Sequence, residues 1–184
     1  ITLFKEILKG TGHKRIDGKR KGGIKVHMAV RASEDVPYLV RFSSGATPDV
    51  TFLKHLQLPA GSIAVMDRGY SNFKAYNEWT HKKVTWVTRL NSNNRYVVLK
   101  DHQLSPLHQG DGVLSDQTII LGFDKQKEKV KCRLVRYCDP GSQKLFLFVT
   151  NNFKWTPIKV AGIYKQRWQI ELLFKRLKQN MPLQ

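Results

Sequence analysis

The sequence predicts an α/β fold: a mixed sheet flanked by helices, with a β-rich insertion before one last long helix. Three observations carry this. A compact apolar run, Ile63-Ala64-Val65-Met66, lies between two helical patterns and reads as a strand buried on both faces. Four short β-type runs separated by turn residues crowd positions 91–152. A long helical stretch with one apolar face, from Thr156 to Gln179, stands near the end of the chain.

Bulk properties narrow the class further. With 184 residues, the chain can bury a sizeable core and carry an inserted sub-domain. Its apolar fraction, 41%, suits a folded protein rather than a disordered one. There is no run of about 18 apolar residues, so no membrane-spanning helix is expected. No signal peptide opens the chain, so a cytoplasmic protein is expected. The two cysteines, Cys132 and Cys138, match no zinc or redox spacing and read as buried thiols. Net charge is +18, far beyond what solubility needs. Such an excess points to nucleic acid, because neutralising phosphates releases counterions. An anionic membrane fits less well, since the basic residues are not gathered on one amphipathic helix. Charge alone does not separate an enzyme from a packaging or RNA-binding protein.

Taken in order, residues 1–8 carry the apolar Ile1, Leu3, Phe4, Ile7 and Leu8 and begin as if mid-domain. Residues 10–23 form a glycine-punctuated loop rich in Lys and Arg, either solvated or laid along a DNA backbone. Residues 23–31 alternate as a strand, with Ile24, Val26, Met28 and Val30 on one face and Lys25, His27 and Ala29 on the other. His27 on such a face reads as structural rather than as a ligand. Asp35-Val36-Pro37 supplies a turn to a second strand over 38–42, making a hairpin. A short helix over 49–58 places Val50, Leu53 and Leu56 inward and stops at Pro59-Ala60-Gly61. The apolar run 63–66 then ends at Asp67-Arg68-Gly69-Tyr70. A carboxylate at the end of a central strand is where α/β proteins place active-site groups, although Asp before Gly is also a common turn. A helix over 72–83 and a strand over 85–90 follow. Beyond Asn91 the β-type runs are 96–99, 117–121, 130–137 and 145–150. The organisation expected is residues 1–90 as the first part of a core, 91–152 as the insertion, and 153–184 as the helix that completes the core.

That last helix has Thr156 as N-cap and Pro157 at its first position, where a missing N–H costs nothing. At about 100° per residue, Ile163, Ile170, Leu173, Phe174 and Leu177 share one arc, the expected buried face. Tyr164, Arg167, Glu171 and Lys178 cluster beside it within roughly 60°. One reading pairs Glu171 with Lys175 one turn on, an ordinary surface contact worth about 0.2–0.5 kcal/mol. The other makes Glu171 a metal ligand and gives Tyr164, Arg167 and Lys178 to DNA phosphates. Trp168 reads as core, with base stacking as the alternative.

Spacing favours the second reading. Tyr164, Arg167, Glu171 and Lys178, with two, three and six residues between them, resemble the Tyr-Arg-Glu-Lys signature of bacterial insertion-sequence transposases of the DDE type. The stretch from Ile163-Tyr164-Lys165-Gln166-Arg167-Trp168 to Glu171 and Lys175, and the Asp-Arg-Gly-Tyr setting of Asp67, are similar to the same family. The resemblance covers most of the chain. It implies a ribonuclease-H-like fold and metal-dependent cleavage and strand transfer of DNA, with Asp67 and Glu171 as catalytic acids and metal ligands. In-line displacement at a phosphate uses two divalent ions about 3.5–4 Å apart, and carboxylate oxygens suit Mg²⁺ or Mn²⁺. The two carboxylates are therefore expected to converge, on the order of 4–8 Å apart. Partners implied are duplex DNA, as transposon ends and target, and a second copy of the chain in the synaptic complex. The family's first acid is expected upstream of Ile1; Glu6 lacks its motif and Asp17 sits in the basic loop, so neither takes that role. The expected protein is thus a catalytic-domain fragment, inactive without that acid. Two other readings share some of these features. A non-catalytic basic nucleic-acid-binding module accounts for the charge equally well, and a ribonuclease-H-like nuclease or resolvase would use the same metals.

The charge generates a direct test. The chain should bind duplex DNA without metal, with log affinity falling linearly and steeply as log salt rises in a titration. Lys178→Ala should shallow that slope by about one unit if Lys178 meets a phosphate.

Overall fold

The computed structural model describes residues 24–32, 36–91, 93–122 and 128–180. The opening stretch with Glu6, the basic loop with Asp17, the turn at 33–35 and the end at 181–184 lie outside the described residues. The chain divides into two compact units, one ending at Gln57 and the other beginning at Leu58.

In the first unit β1 (Ile24–Arg31) and β2 (Val36–Ser44) form the expected antiparallel hairpin. The expected helix over 49–58 is instead a 3₁₀ helix, Asp49–His55. Its three-residue turn brings Phe52 and Leu53 inward together, while Leu56 goes extended (φ −83°, ψ 105°) ahead of Pro59. On β1 it is the His27 face that is covered. His27 is 4% exposed, stacks on Phe52 at 5.3 Å and meets Ser43 Oγ at 2.9 Å. Its burial lowers the imidazole pKa below the usual value, with Asp49 opposing and Lys25 reinforcing that shift. Val26 and its cross-strand partner Phe42 are exposed on the opposite face.

The second unit is an α/β arrangement around one mixed six-stranded sheet. Its strands are β3 (Ile63–Val65), β4 (Thr85–Arg89), β5 (Tyr96–Asp101), β6 (Val113–Leu121), β7 (Val130–Cys138) and β8 (Leu145–Thr150). Their order is β3-β4-β8-β7-β6-β5, parallel between β3 and β4 and antiparallel elsewhere. The four strands beyond Asn91 thus continue the sheet of β3 and β4, with β8 lying directly against β4. The expectation that residues 63–66 form a strand buried on both faces is corrected. Among the described residues β3 is an edge strand paired only with β4, and Ile63 is 49% exposed.

Helices cover both faces of the sheet. The helix α1 (Phe73–His81) is capped by Asn72, whose side chain accepts from the Ala75 N–H. A short helix, α2 (Pro106–Gly110), precedes β6. Then come α3 (Pro157–Gln166), capped by Thr156 through the Lys159 N–H, and α4 (Trp168–Asn180). Neighbouring residues of a strand point to opposite faces. Fully buried Trp86 accordingly stacks on Tyr76 of α1 at 4.4 Å, and Val87 packs with Val160, Ala161 and Tyr164 of α3. Among the described residues no helix is long and apolar enough to cross a membrane. Cys132 is buried and Cys138 half-buried, and both are free; burial pushes the Cys132 thiol far up.

The single long helix expected over 156–179 is also corrected, because it breaks at Arg167. There the backbone tightens (φ −55°, ψ −26°), and N–H groups bond three residues back, Arg167 to Tyr164 and Ile170 to Arg167. The buried face shifts with it. Val160, Ala161 and Tyr164 are buried, whereas Ile163, Ile170, Leu173 and Phe174 are only half-buried. Trp168, read as core, is 61% exposed at the start of α4.

One ion pair ties β6, β7 and the entry to α3 together. Arg133 donates from Nε and Nη2 to the two oxygens of Asp116 at 2.7 and 2.6 Å, with both residues 5% exposed. Its Nη1 donates to the carbonyls of Trp155 and Asn152. Removing one partner of a buried pair strands the other, so Asp116→Ala should cost about 3–5 kcal/mol in urea unfolding. Replacing both Asp116 and Arg133 by apolar residues of similar size should cost much less.

Candidate active site

The sheet brings a carboxylate and a guanidinium to one place. In the parallel pair Val65 lies beside Val87, so Asp67 and Arg89, each two residues further on, stand side by side where that pair ends. Asp67 caps a 3₁₀ turn, Arg68–Tyr70, accepting from the Arg68 N–H at 2.8 Å. The same oxygen, Oδ1, accepts from Arg89 Nη2 at 3.1 Å and from the Tyr164 hydroxyl at 3.4 Å. Burial alone would raise the Asp67 pKa. The Arg68 N–H, the Arg89 hydrogen bond and the charges of Arg167 and Arg89 outweigh it and hold the carboxyl below its usual value. Among the described residues no hydrogen bond reaches the other oxygen, Oδ2.

Glu171 arrives from α4. Because Arg167 sits at the break between the helices, its side chain reaches both ways. Its Nε donates to the Tyr164 hydroxyl at 3.1 Å and its Nη2 to Glu171 Oε1 at 2.7 Å. Glu171 is thus paired with Arg167 one turn back, not with Lys175 one turn on. It stands in the first turn of α4, where the helix dipole favours a negative charge. Its side chain is 50% exposed and borders an open groove of about 510 Å³ lined also by Phe174, Lys175 and Gln179. A continuous line of polar contacts therefore runs from Arg89 through Asp67, Tyr164 and Arg167 to Glu171.

Tyr164 belongs to both core and site. Its ring, 5% exposed, packs 4.9 Å from that of Phe148, while its hydroxyl joins the polar line. Two guanidiniums flank the ring, Arg89 at 5.6 Å and Arg167 at 5.4 Å from its centroid. Burial raises the phenol pKa, although the two arginines oppose it, so the hydroxyl stays a donor. Lys178 falls on α4, and its side chain lies outside what is described.

No motif in the sequence points to Arg89. The signal is a lone cation closing an otherwise uncharged strand, Thr85-Trp86-Val87-Thr88, at the same level as Asp67. Only the pairing of β3 with β4 reveals that level.

As a donor set, Asp67 and Glu171 offer hard oxygens of the kind Mg²⁺ or Mn²⁺ takes. Asp67 fits best, since Oδ1 is already held by three donors and Oδ2 carries no hydrogen bond from the described residues. Among the described residues no cluster of three or more His, Cys, Asp or Glu is formed, so the set matches in kind and is short in number.

The model of the transposase DDE domain family matches residues 6–183, and the chain belongs to that family. The chain is 28% identical over 166 residues to the putative transposase y4zB of Sinorhizobium fredii, covering 88% of this chain and 46% of that protein. It is 29% identical over 174 residues to a putative transposase for insertion sequence element IS4SA of Synechocystis sp., covering 87% and 45% respectively. A probable transposase for insertion sequence element IS5377 of Geobacillus stearothermophilus is 26% identical over 168 residues, covering 88% and 43%. The chain therefore spans a little under half the length of these relatives.

The double duty of Tyr164 can be separated by mutation. Tyr164→Phe keeps the ring and loses the bridge, and should cost about 1 kcal/mol in urea unfolding. Tyr164→Ala also empties the core position and should cost about 3–5 kcal/mol.

Proposed function

We propose that this chain is part of the catalytic domain of a DDE transposase, of the subgroup with the Tyr-Arg-Glu-Lys signature. Its reaction is metal-dependent cleavage and strand transfer of an insertion sequence, on duplex DNA supplied as transposon ends and target. The observation that carries the reading is the polar line from Asp67 to Glu171, which joins groups 97 residues apart at its Tyr164–Asp67 step. A binding module that needed only charge would have no use for two acids tied into one network. The acid at the end of a strand, the β-rich stretch and the acid on a following helix also support a ribonuclease-H-like core. In this reading residues 1–90 and 153–184 make that core and residues 91–152 are inserted into it.

In this proposal Asp67 and Glu171 are the catalytic carboxylates and would hold the divalent metal, Mg²⁺ or Mn²⁺. Two ions in the intact enzyme would supply an activated attacking oxygen and a stabilised leaving oxygen. Arg167 and Lys178 would contact phosphates, Arg167 with a planar fork suited to them. Tyr164 would fix the carboxylate of Asp67 through its hydroxyl. With two carboxylates in place of the three that a DDE site uses, the set would hold the metal weakly, and this chain alone would be inactive. The enzyme would work in the cytoplasm at the nucleoid, as a homodimer when it synapses two DNA ends.

A strand-cleavage assay in Mg²⁺ and in Mn²⁺ tests this. The chain as given should be inactive, and a longer chain that also carries the family's first Asp should cleave. Glu171→Gln in the longer chain should abolish cleavage. Robust cleavage by the short chain, lost on Asp17→Ala or Glu6→Ala, would show that the first acid is misplaced. Inactivity of both chains would remove the catalytic reading.

A further inference from the structure

Arg89 is the charged group of the site that the sequence signature does not use. Its guanidinium lies over two rings, Phe146 at 5.9 Å and Tyr164 at 5.6 Å, and its side chain is 27% exposed. One hydrogen bond, from Nη2, holds it to Asp67 Oδ1. Its Nε is buried and meets no acceptor among the described residues. An orphaned buried donor beside a partly exposed carboxylate is a costly arrangement, of the kind that persists at sites meant to receive another partner.

The two acids and two arginines form a closed charge balance. Asp67 is paired with Arg89 and Glu171 with Arg167, so the four groups sum to zero. A divalent cation approaching this balanced set meets carboxylates already neutralised and two positive charges beside them. An anion with several acceptor oxygens meets the opposite: guanidiniums with N–H groups to spare. A DNA phosphate that drew Arg89 and Arg167 toward itself would leave both carboxylates uncompensated.

We propose that Arg89 is a positioning residue that acts as a built-in counter-ion to Asp67. It keeps the metal site weak until a DNA phosphate takes over the guanidinium, so that metal and DNA bind cooperatively. This rests on the assignment of Asp67 as a metal ligand made above. Linkage then requires each ligand to raise the other's affinity by the same factor.

The test is Mn²⁺ binding to this chain, followed by the electron paramagnetic resonance of free Mn²⁺, with and without a saturating short duplex. Arg89→Met keeps the bulk beside the two rings and removes the charge; Arg89→Lys keeps the charge. Asp67→Asn reports the Mn²⁺ that the DNA phosphates take up by themselves. For the unaltered chain, the duplex should raise Mn²⁺ affinity about tenfold beyond that background, within the usual range of coupling factors. Arg89→Met should bind Mn²⁺ about tenfold more tightly than the unaltered chain without DNA, and gain little when DNA is added. Arg89→Lys should stay weak without DNA. A thermal melt of each variant confirms that it is folded. Mn²⁺ affinity that is indifferent to DNA, or no tighter in Arg89→Met, would overturn the counter-ion role and leave the metal assignment standing. Binding that is unchanged in Asp67→Asn, or absent in every chain, would overturn both.

Discussion

The second unit depends on the buried pair of Arg133 and Asp116. A guanidinium and a carboxylate at 5% exposure are tolerable only because almost every donor has a partner. Two N–H groups go to Asp116 on β6, and two more contacts go to the carbonyls of Asn152 and Trp155. Those carbonyls belong to the corner where the chain leaves β8 and turns into α3. Strand pairing alone would set β6 beside β7 but would not say where the next helix starts. The pair joins the two, and so sets where Val160, Ala161 and Tyr164 land on the Val87 face of the sheet.

From that placement the site follows. Tyr164 is anchored by its ring, so its hydroxyl is delivered to Asp67 with little freedom left to lose. Arg167, three residues on and at the helix break, spans from that hydroxyl to Glu171. A second clamp secures the same helix: Lys165 pairs with Asp139 at 2.7 Å beside the end of β7 and lies over the Tyr137 ring at 5.4 Å. That bond, with help from the Ser142 N–H, holds the Asp139 carboxyl at about 2. The acids are thus carried by a short 3₁₀ turn and a helix start, while the groups that orient them stand on β4 and α3. Rigid elements holding orienting groups is the arrangement a precise site requires.

The electrostatics of the site differ from those of the rest of the chain. A net charge of +18 creates a general attraction for phosphate that needs no particular geometry. At the site, by contrast, each acid has its own arginine at 3.1 or 2.7 Å. General attraction brings a polyanion near, and the local balance decides what can be exchanged once it arrives. The scattered lysines set the first. The second needs planar guanidiniums, which remain charged in any environment and present several N–H groups at once.

Much of this was legible in the amino-acid order, and the reason is that the relevant information is local. Asn72 and Thr156 cap their helices through side chains three residues from the N–H they satisfy, so composition at a helix start suffices. Alternation and turn residues marked the β strands within a few positions. The family signature named Tyr164, Arg167 and Glu171, which the fold then joins by hydrogen bonds. What tertiary structure alone decided is whatever depends on a distant partner. Periodicity on β1 could not say that the His27 face, rather than the Val26 face, would meet Phe52. Nor could a helical wheel show a break at Arg167, since a wheel assumes the regular turn that the break interrupts. The pairing of Asp67 with Arg89 was equally hidden, because it is set by the register of β3 on β4, a relation between strands that neither strand's own pattern encodes.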